Sequence, residues 1–266
     1  MSPHPVVWRN CIIGMVSSKT RLSVVIPAFN EAERLPATLA GTAAYLASSG
    51  HWLPAEIIVV DDGSSDQTSE VAASVDVPAD ITIRCLAHAQ NRGKGAAVRT
   101  GFAAAGGEMI LLCDADSATP IEEIDRLATG IDGGVAIGSR AMDRARIETP
   151  QPWYRDLMGR LFNLAVQTLA VRGIKDTQCG FKLFNGDLGR ELAAVQRLDG
   201  FAFDVELLVQ ARRWGFEVRE IPVRWRHVEA SRVQPITHSR EMLFDLFRIW
   251  WWRTRGAMKN RHAPRP

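Results

Sequence analysis

Cysteine is scarce and poorly placed for structural work. The four present (Cys11, Cys85, Cys113 and Cys179) are far apart, form no CxxC pair and have no histidine at ligand spacing. A disulfide framework and a zinc site are therefore excluded, and a reducing cytosol fits best. Long apolar runs are missing as well. The run at residues 6–16 is short and broken by Arg9 and Asn10, so neither a transmembrane helix nor a signal peptide is expected. An excess of one charge sign is also absent: 32 basic against 30 acidic residues leave +2. That lacks the global field of a nucleic-acid binder. No internal repeat or low-complexity segment interrupts the chain.

What is present suffices for a large core. With 46% hydrophobic residues over 266 positions, one catalytic domain with appendages is expected. The charge is uneven. From Arg240 onward seven Arg or Lys stand against Glu241 and Asp245, which makes the tail cationic and an anionic surface its natural partner.

Short β-branched runs at Leu22–Ile26, Glu56–Val60, Ile81–Leu86, Met109–Cys113 and Val135–Gly138 alternate with helical patterns over about 31–48, 67–74, 95–105 and 121–130. This rhythm predicts an α/β fold: a doubly wound, mostly parallel sheet with helices on both faces and ligands at the carboxyl ends of its strands. Further on, the spacing predicts a helix from Trp153 to about Val171, another over 203–214, a strand over 216–223 and a last helix over 238–255.

Polar clusters fall where that fold needs them. Asp114 and Asp116 close the fourth strand two residues apart, so both carboxylates can face one hard cation, Mg2+ or Mn2+, bridging a diphosphate. A solvated pair of loop aspartates reads equally well from the triplet alone. Asp61 and Asp62 open a Gly63 turn that serves either as a helix cap or as a hydrogen-bond acceptor for a base or ribose. The segment Asn91-Arg92-Gly93-Lys94-Gly95 offers amides and cations to phosphates, yet is neither a Walker A loop nor a dinucleotide fingerprint. Asp204 and Glu206 suit a catalytic base and equally the acidic start of a helix. Asp176 admits a plain Asx turn.

Taken in order, Pro27/Asn30-Glu31, Asp61-Asp62-Gly63-Ser64, Asn91 to Gly95 and Asp114-Ala115-Asp116 resemble the family 2 glycosyltransferases of GT-A fold over residues 22 to about 225. Gly138-Ser139-Arg140, Asp176 to Phe184 and Phe201 to Glu206 resemble, within that family, the polyprenyl-phosphate sugar synthases of the dolichyl-phosphate β-glucosyltransferase branch. The resemblance implies a nucleotide-sugar pocket of Pro27, Glu31, Asp61, Asp62, Lys94, Asp114 and Gln178, with the metal on Asp114 and Asp116. It implies an acceptor-phosphate site of Ser139, Arg140 and Arg155, and catalytic roles for Asp116, Arg140 and Asp204. Gly159 stands where a mannose-transferring branch favours serine.

The implied reaction is inverting, metal-dependent transfer of glucose from UDP-glucose to a polyprenyl phosphate, peripheral on the cytoplasmic, inner face of a membrane. Use of GDP-mannose, a hydroxyl acceptor, or sugar-nucleotide binding without turnover are the alternatives. The expected organisation is an N-terminal extension over 1–20, a GT-A domain over 21–230 and a membrane-interfacial amphipathic helix with a basic tail over 231–266. That last segment interleaves Trp250, Trp251 and Trp252 with Arg248, Arg253 and Arg255, as suits a headgroup boundary or a helix packed on the sheet.

Overall fold

The computed structural model describes residues 20–228 and 235–261. Cys11, the run at 6–16 and all of the expected extension except Thr20 lie outside the described residues. The elements run β1 (Leu22–Ala28), α1 (Leu35–Ser49), β2 (Ala55–Asp61), α2 (Thr68–Ser74), β3 (Ile81–Ala87), α3 (Lys94–Ala104), β4 (Met109–Cys113), α4 (Ile124–Gly130), β5 (Val135–Ser139), β6 (Ile147–Thr149) and α5 (Trp153–Leu169). After these come β7 (Phe181–Asn185), α6 (Gly186–Val195), α7 (Phe203–Arg213), β8 (Val218–Pro222), β9 (Trp225–Arg226) and α8 (Pro235–Thr254).

Seven strands form one sheet in the order β3-β2-β1-β4-β7-β5-β8. All are parallel except β7, which runs antiparallel between β4 and β5. Continuous apolar strands are what a sheet covered on both faces requires. Alternate residues accordingly point to opposite cores. Val24, Ile26, Ile57 and Val59 meet α1, α2 and α4, whereas Val25, Ile58 and Val60 meet α3, α6 and α7 with parts of α5 and α8. Leu246 and Ile249 of α8 are fully buried in that second core, each such side chain contributing about 1.5–3 kcal/mol. The last helix is thus packed on the body along one edge. Among the described residues no helix is long and apolar enough to cross a membrane.

The expected strands and helices recur with shifted ends. Helix α1 begins at Leu35 rather than near Glu31, because the intervening loop is pinned from outside. Asn30 sits at φ 55° and its amide donates to Ser64 Oγ at 2.9 Å, while the Glu31 amide donates to Thr68 Oγ1 at 2.9 Å. Only after this turn does Pro36 open the helix. Strand β7 and helix α6 have no counterpart in the sequence reading. A small second sheet pairs β6 with β9 and lies over the carboxyl rim side of Ala118, whose carbonyl accepts the Arg226 amide at 2.9 Å.

Candidate active site

The loops after β1, β2, β3 and β4 meet at one rim, and hydrogen bonds explain why. Asp61 ends β2, and its Oδ1 accepts the Ser64 amide at 2.9 Å while Oδ2 accepts the Ser69 hydroxyl. Asp62 accepts from His88 Nδ1 at 2.6 Å and from the amides of Arg92 (3.0 Å) and Gly93 (2.7 Å). Both carboxylates are buried. Asp62 therefore ties the Asn91–Lys94 loop to the end of β2, and the amide of Asp62 itself donates to Ala28 O at 2.8 Å. Pro27 lies buried in β1 opposite Val60 of β2. Glu31 accepts two bonds from the Arg34 guanidinium, at 2.7 and 2.6 Å. The same loop is held from the far side by glycine: a Cβ on Gly95 would come within 2.5 Å of Leu198 O.

Lys94, first residue of α3, reaches Asp114 Oδ1 at 2.6 Å. Burial alone would lower its pKa, but Asp114, Asp204 and Asp116 outweigh that and hold the ammonium charged, above its usual range. Asp116 is pushed the other way. Burial and the adjacent Asp114 raise its carboxyl above the ordinary value, against weaker help from the Ala118 amide, Lys94 and Arg34. Two crowded carboxylates with one cation are a site that a divalent cation would relieve. A Cβ on Gly180 would overlap the Asp114 carboxylate, so glycine there keeps the side chain in place. Among the described residues no third His, Cys, Asp or Glu completes a ligand cluster, which suits a cation that takes its remaining oxygens from phosphate and water. The backbone between the two aspartates is fixed from α1, where Thr38 Oγ1 donates to Ala115 O at 2.7 Å.

Asp204 enters from the start of α7 and meets the fully buried ammonium of Lys182 at 2.7 Å. Lys182 also donates to Cys179 O at 2.5 Å. Burial raises the Asp204 pKa, with Lys182 and Lys94 opposing the rise. Glu206 points elsewhere, accepting the amides of Arg197 and Leu198 at 2.9 to 3.1 Å, and so holds the loop that backs Gly95.

Arg140 follows β5 and is clamped by Asp176: Nε to Oδ2 and Nη2 to Oδ1, both at 2.7 Å. Burial opposes its charge, but Asp176 raises its pKa further, and Asp176 is in turn held below the usual carboxylate range by Arg140 in spite of burial. The guanidinium lies 5.4 Å from the centre of the Trp225 ring. It lines a cleft of about 500 Å3 that also takes in Gln178, Thr177, Lys175, Arg144 and Arg160. Trp225 borders both this cleft and the small recess holding Asp114 and Gly180. Gln178 packs its amide 4.0 Å from Met242 Sδ of α8.

The structure thus gathers Pro27, Glu31, Asp61, Asp62, Lys94, Asp114, Asp116 and Asp204 at one rim, with Arg140 and Gln178 in the adjoining cleft. Ser139 differs from expectation. Its hydroxyl is fully buried, donates to Glu220 at 2.6 Å and accepts the amides of Ala141 and Met142 at 3.2 and 3.3 Å, so it shapes the turn that aims Arg140. Arg155 lies on α5, but its side chain is outside the described ones. Sequence reasoning missed His88, Lys182 and Arg34. His88 immediately follows β3, so the strand-end rule that found Asp61 and Asp114 would have found it too.

A mostly parallel sheet whose rim carries the Asp114/Asp116 pair, Lys94 and the laced β1 and β2 loops defines a glycosyltransferase of GT-A fold. Residues 23–188 match the model of glycosyl transferase family 2, and the chain belongs to that family. It is similar to the dolichyl-phosphate beta-glucosyltransferase of Drosophila melanogaster, 38% identical over 247 residues that cover 88% of this chain and 76% of the relative. The human enzyme of the same name is 37% identical, with 88% and 76% covered, and that of Saccharomyces cerevisiae 34%, with 85% and 72% covered. Among solved structures, glucosyl-3-phosphoglycerate synthase from Mycobacterium tuberculosis in complex with Mn2+, UDP-glucose and phosphoglyceric acid superposes with a TM-score of 0.64 at 18% identity, covering 87% of this chain and 80% of that one. Mannosyl-3-phosphoglycerate synthase from Rubrobacter xylanophilus has a TM-score of 0.62 at 18% identity, covering 92% and 78%.

Proposed function

We propose that this glycosyltransferase moves glucose from UDP-glucose to a polyprenyl phosphate with inversion at the anomeric carbon, working at the inner, cytoplasmic face of a membrane. One observation carries the reading: a cationic cleft at Arg140 opens beside the Asp114/Asp116 rim and is walled by α5, a helix with an exposed apolar face. Trp153 is 78% exposed on α5 and Phe244 66% on the adjoining α8, with Leu157, Leu161, Leu164 and Phe247 exposed on the same two helices. Arg160 and Arg248 flank them, the composition of an interfacial surface that meets anionic lipid. Residues 1–20 are then an extension, 21–230 the catalytic body and 231–266 the membrane-facing tail.

Asp114 and Asp116 would hold Mg2+ or Mn2+, which when bound neutralises charge on the departing diphosphate. The other roles belong to the chain itself. Asp61, Asp62, Pro27 and Glu31 frame the nucleoside, and Lys94, kept charged by three carboxylates, meets the diphosphate. Gln178, which lines the Arg140 cleft, would meet the donor sugar. Arg140, aimed by Asp176, holds the acceptor phosphate with Arg155. A phosphate monoester has its second pKa near ~6, so the attacking oxygen is already ionised and needs positioning more than deprotonation. Asp204, fixed by Lys182, is then a group that orients sugar hydroxyls rather than a base.

The test is transfer of label from UDP-glucose, GDP-mannose and UDP-N-acetylglucosamine to extractable polyprenyl phosphate, with and without EDTA. Label from UDP-glucose alone, lost with EDTA, is expected. Label from GDP-mannose, or none from any donor, overturns the reading.

A further inference from the structure

Two residues that line the cleft each carry a buried polar atom without a partner. Thr177 is 1% exposed, lines the cleft, and its Oγ1 has no hydrogen-bond partner. Asn163, on α5, donates from Nδ2 to Ile174 O at 3.3 Å, so its amide is oriented and Oδ1 is the atom left over. A buried hydroxyl without a partner is unfavourable and calls for a ligand or an ordered water.

The charges around Thr177 point to the ligand's chemistry. Arg140, Arg144, Arg160 and Lys175 line the cleft, and the carboxylates among them are already bonded: Asp176 to Arg140, and Asp156 to Arg144 at 3.2 Å and Arg160 at 2.8 Å. Arg140 meets Asp176 through Nε and Nη2, which leaves Nη1 without a bond to it. An anion whose oxygens only accept hydrogen bonds fits this set of donors. Thr177 supplies the neutral donor that Ser139, closed off by Glu220, does not. Asn163 Oδ1, acceptor only, has no place on such an anion.

We propose that Thr177 is a ligand of the acceptor phosphate, its hydroxyl donating to a non-bridging oxygen while Arg140 and Lys175 supply the charge. This rests on the acceptor reading given above and names the group that reads the phosphate. The lipid end then leaves the cleft past Phe162 and Leu164 of α5.

The test compares the wild-type chain with Thr177→Val, which keeps the shape and removes the hydroxyl, and with Thr177→Ser, which restores it. Binding of citronellyl phosphate and of citronellol is followed by tryptophan fluorescence, since Trp153 and Trp225 border the cleft. KM values for polyprenyl phosphate and UDP-glucose are measured beside it. Loss of a hydrogen bond to a charged group weakens binding about tenfold or more. The valine variant should lose about that much affinity for citronellyl phosphate and raise the acceptor KM equally, with the donor KM unchanged. The serine variant should stand near wild type. If the valine variant lacks a cooperative melt, Thr177→Ala takes its place. A wild type that prefers the phosphate over the alcohol, joined to a valine variant of equal affinity, means that Thr177 bonds only water and sinks the assignment alone. A wild type that does not distinguish phosphate from alcohol sinks the acceptor reading with it.

Discussion

Gly180→Ala isolates the metal rim from the rest of the fold. The Gly180 backbone is not in the left-handed region that demands glycine, so alanine there is strained only by what its methyl group meets. That is the Asp114 carboxylate, with Oδ1 at 2.5 Å and Oδ2 nearer still, where real Cβ contacts stay beyond 3.0 Å. Asp114 has a free end and can rotate away, which keeps the cost in stability small. It cannot rotate away and keep Lys94 at 2.6 Å. A displacement on the order of 1 Å in a group that positions reactants lowers turnover about 100-fold, or about 2.7 kcal/mol in activation free energy. Initial rates against UDP-glucose and against Mn2+ should show kcat falling by that order and the cation requirement rising, while the melting temperature stays within a few degrees. Wild-type kcat with an unchanged cation requirement would refute the argument that Gly180 places Asp114.

Three further expectations concern separate parts of the molecule. Lys182→Met leaves the Asp204 carboxylate buried without its partner, and breaking such a pair costs about 3–5 kcal/mol; chemical denaturation should register that loss, and Lys182→Met with Asp204→Leu should recover part of it. Asp176 has a depressed pKa in the folded chain, so the stability it contributes is full above the unfolded carboxylate value near ~3.9 and fades as pH falls below it. Unfolding followed between pH 3 and 6 should therefore show a steeper acid loss in the wild type than in Asp176→Asn, and parallel curves would count against it. Replacing Leu157, Leu161 and Phe244 with serine removes exposed apolar area from α5 and α8; binding to anionic vesicles should drop on the order of 100-fold, with the donor KM unaltered.

How far the sequence carried depends on the kind of signal each element offers. The five parallel strands from β1 to β5 announce themselves because each is a short apolar run bounded by polar turns, and the rim carboxylates follow at once from strand ends. Strand β7 does not, because Phe181-Lys182-Leu183-Phe184-Asn185 is only five residues long and breaks its apolar run with Lys182. That lysine is buried at 1% exposure and paired to Asp204, 22 positions away, and nothing in a local pattern announces such a partner. The late start of α1 has the same origin: residues 31–34 read as helix, but Ser64 and Thr68, distant in sequence, take up the amides of Asn30 and Glu31. Ser139 and Arg140 sit side by side in sequence, yet one is closed off by Glu220 and the other opens on the cleft, since successive residues at a strand end point in opposite directions.

Four charged pairs are already formed at the site: Lys94 with Asp114, Lys182 with Asp204, Arg140 with Asp176, Arg34 with Glu31. These pairs hold the donors and acceptors in place before any ligand arrives, which is how a polar site avoids reorganising at the moment of reaction. They also change what a single substitution means. Removing Arg140 takes away a candidate phosphate clamp and at the same time leaves Asp176 buried and unpaired beside the cleft, where its charge would repel the same phosphate. The loss measured for Arg140 alone therefore contains two effects of the same sign, and only a cycle that includes Asp176→Asn separates recognition from repulsion.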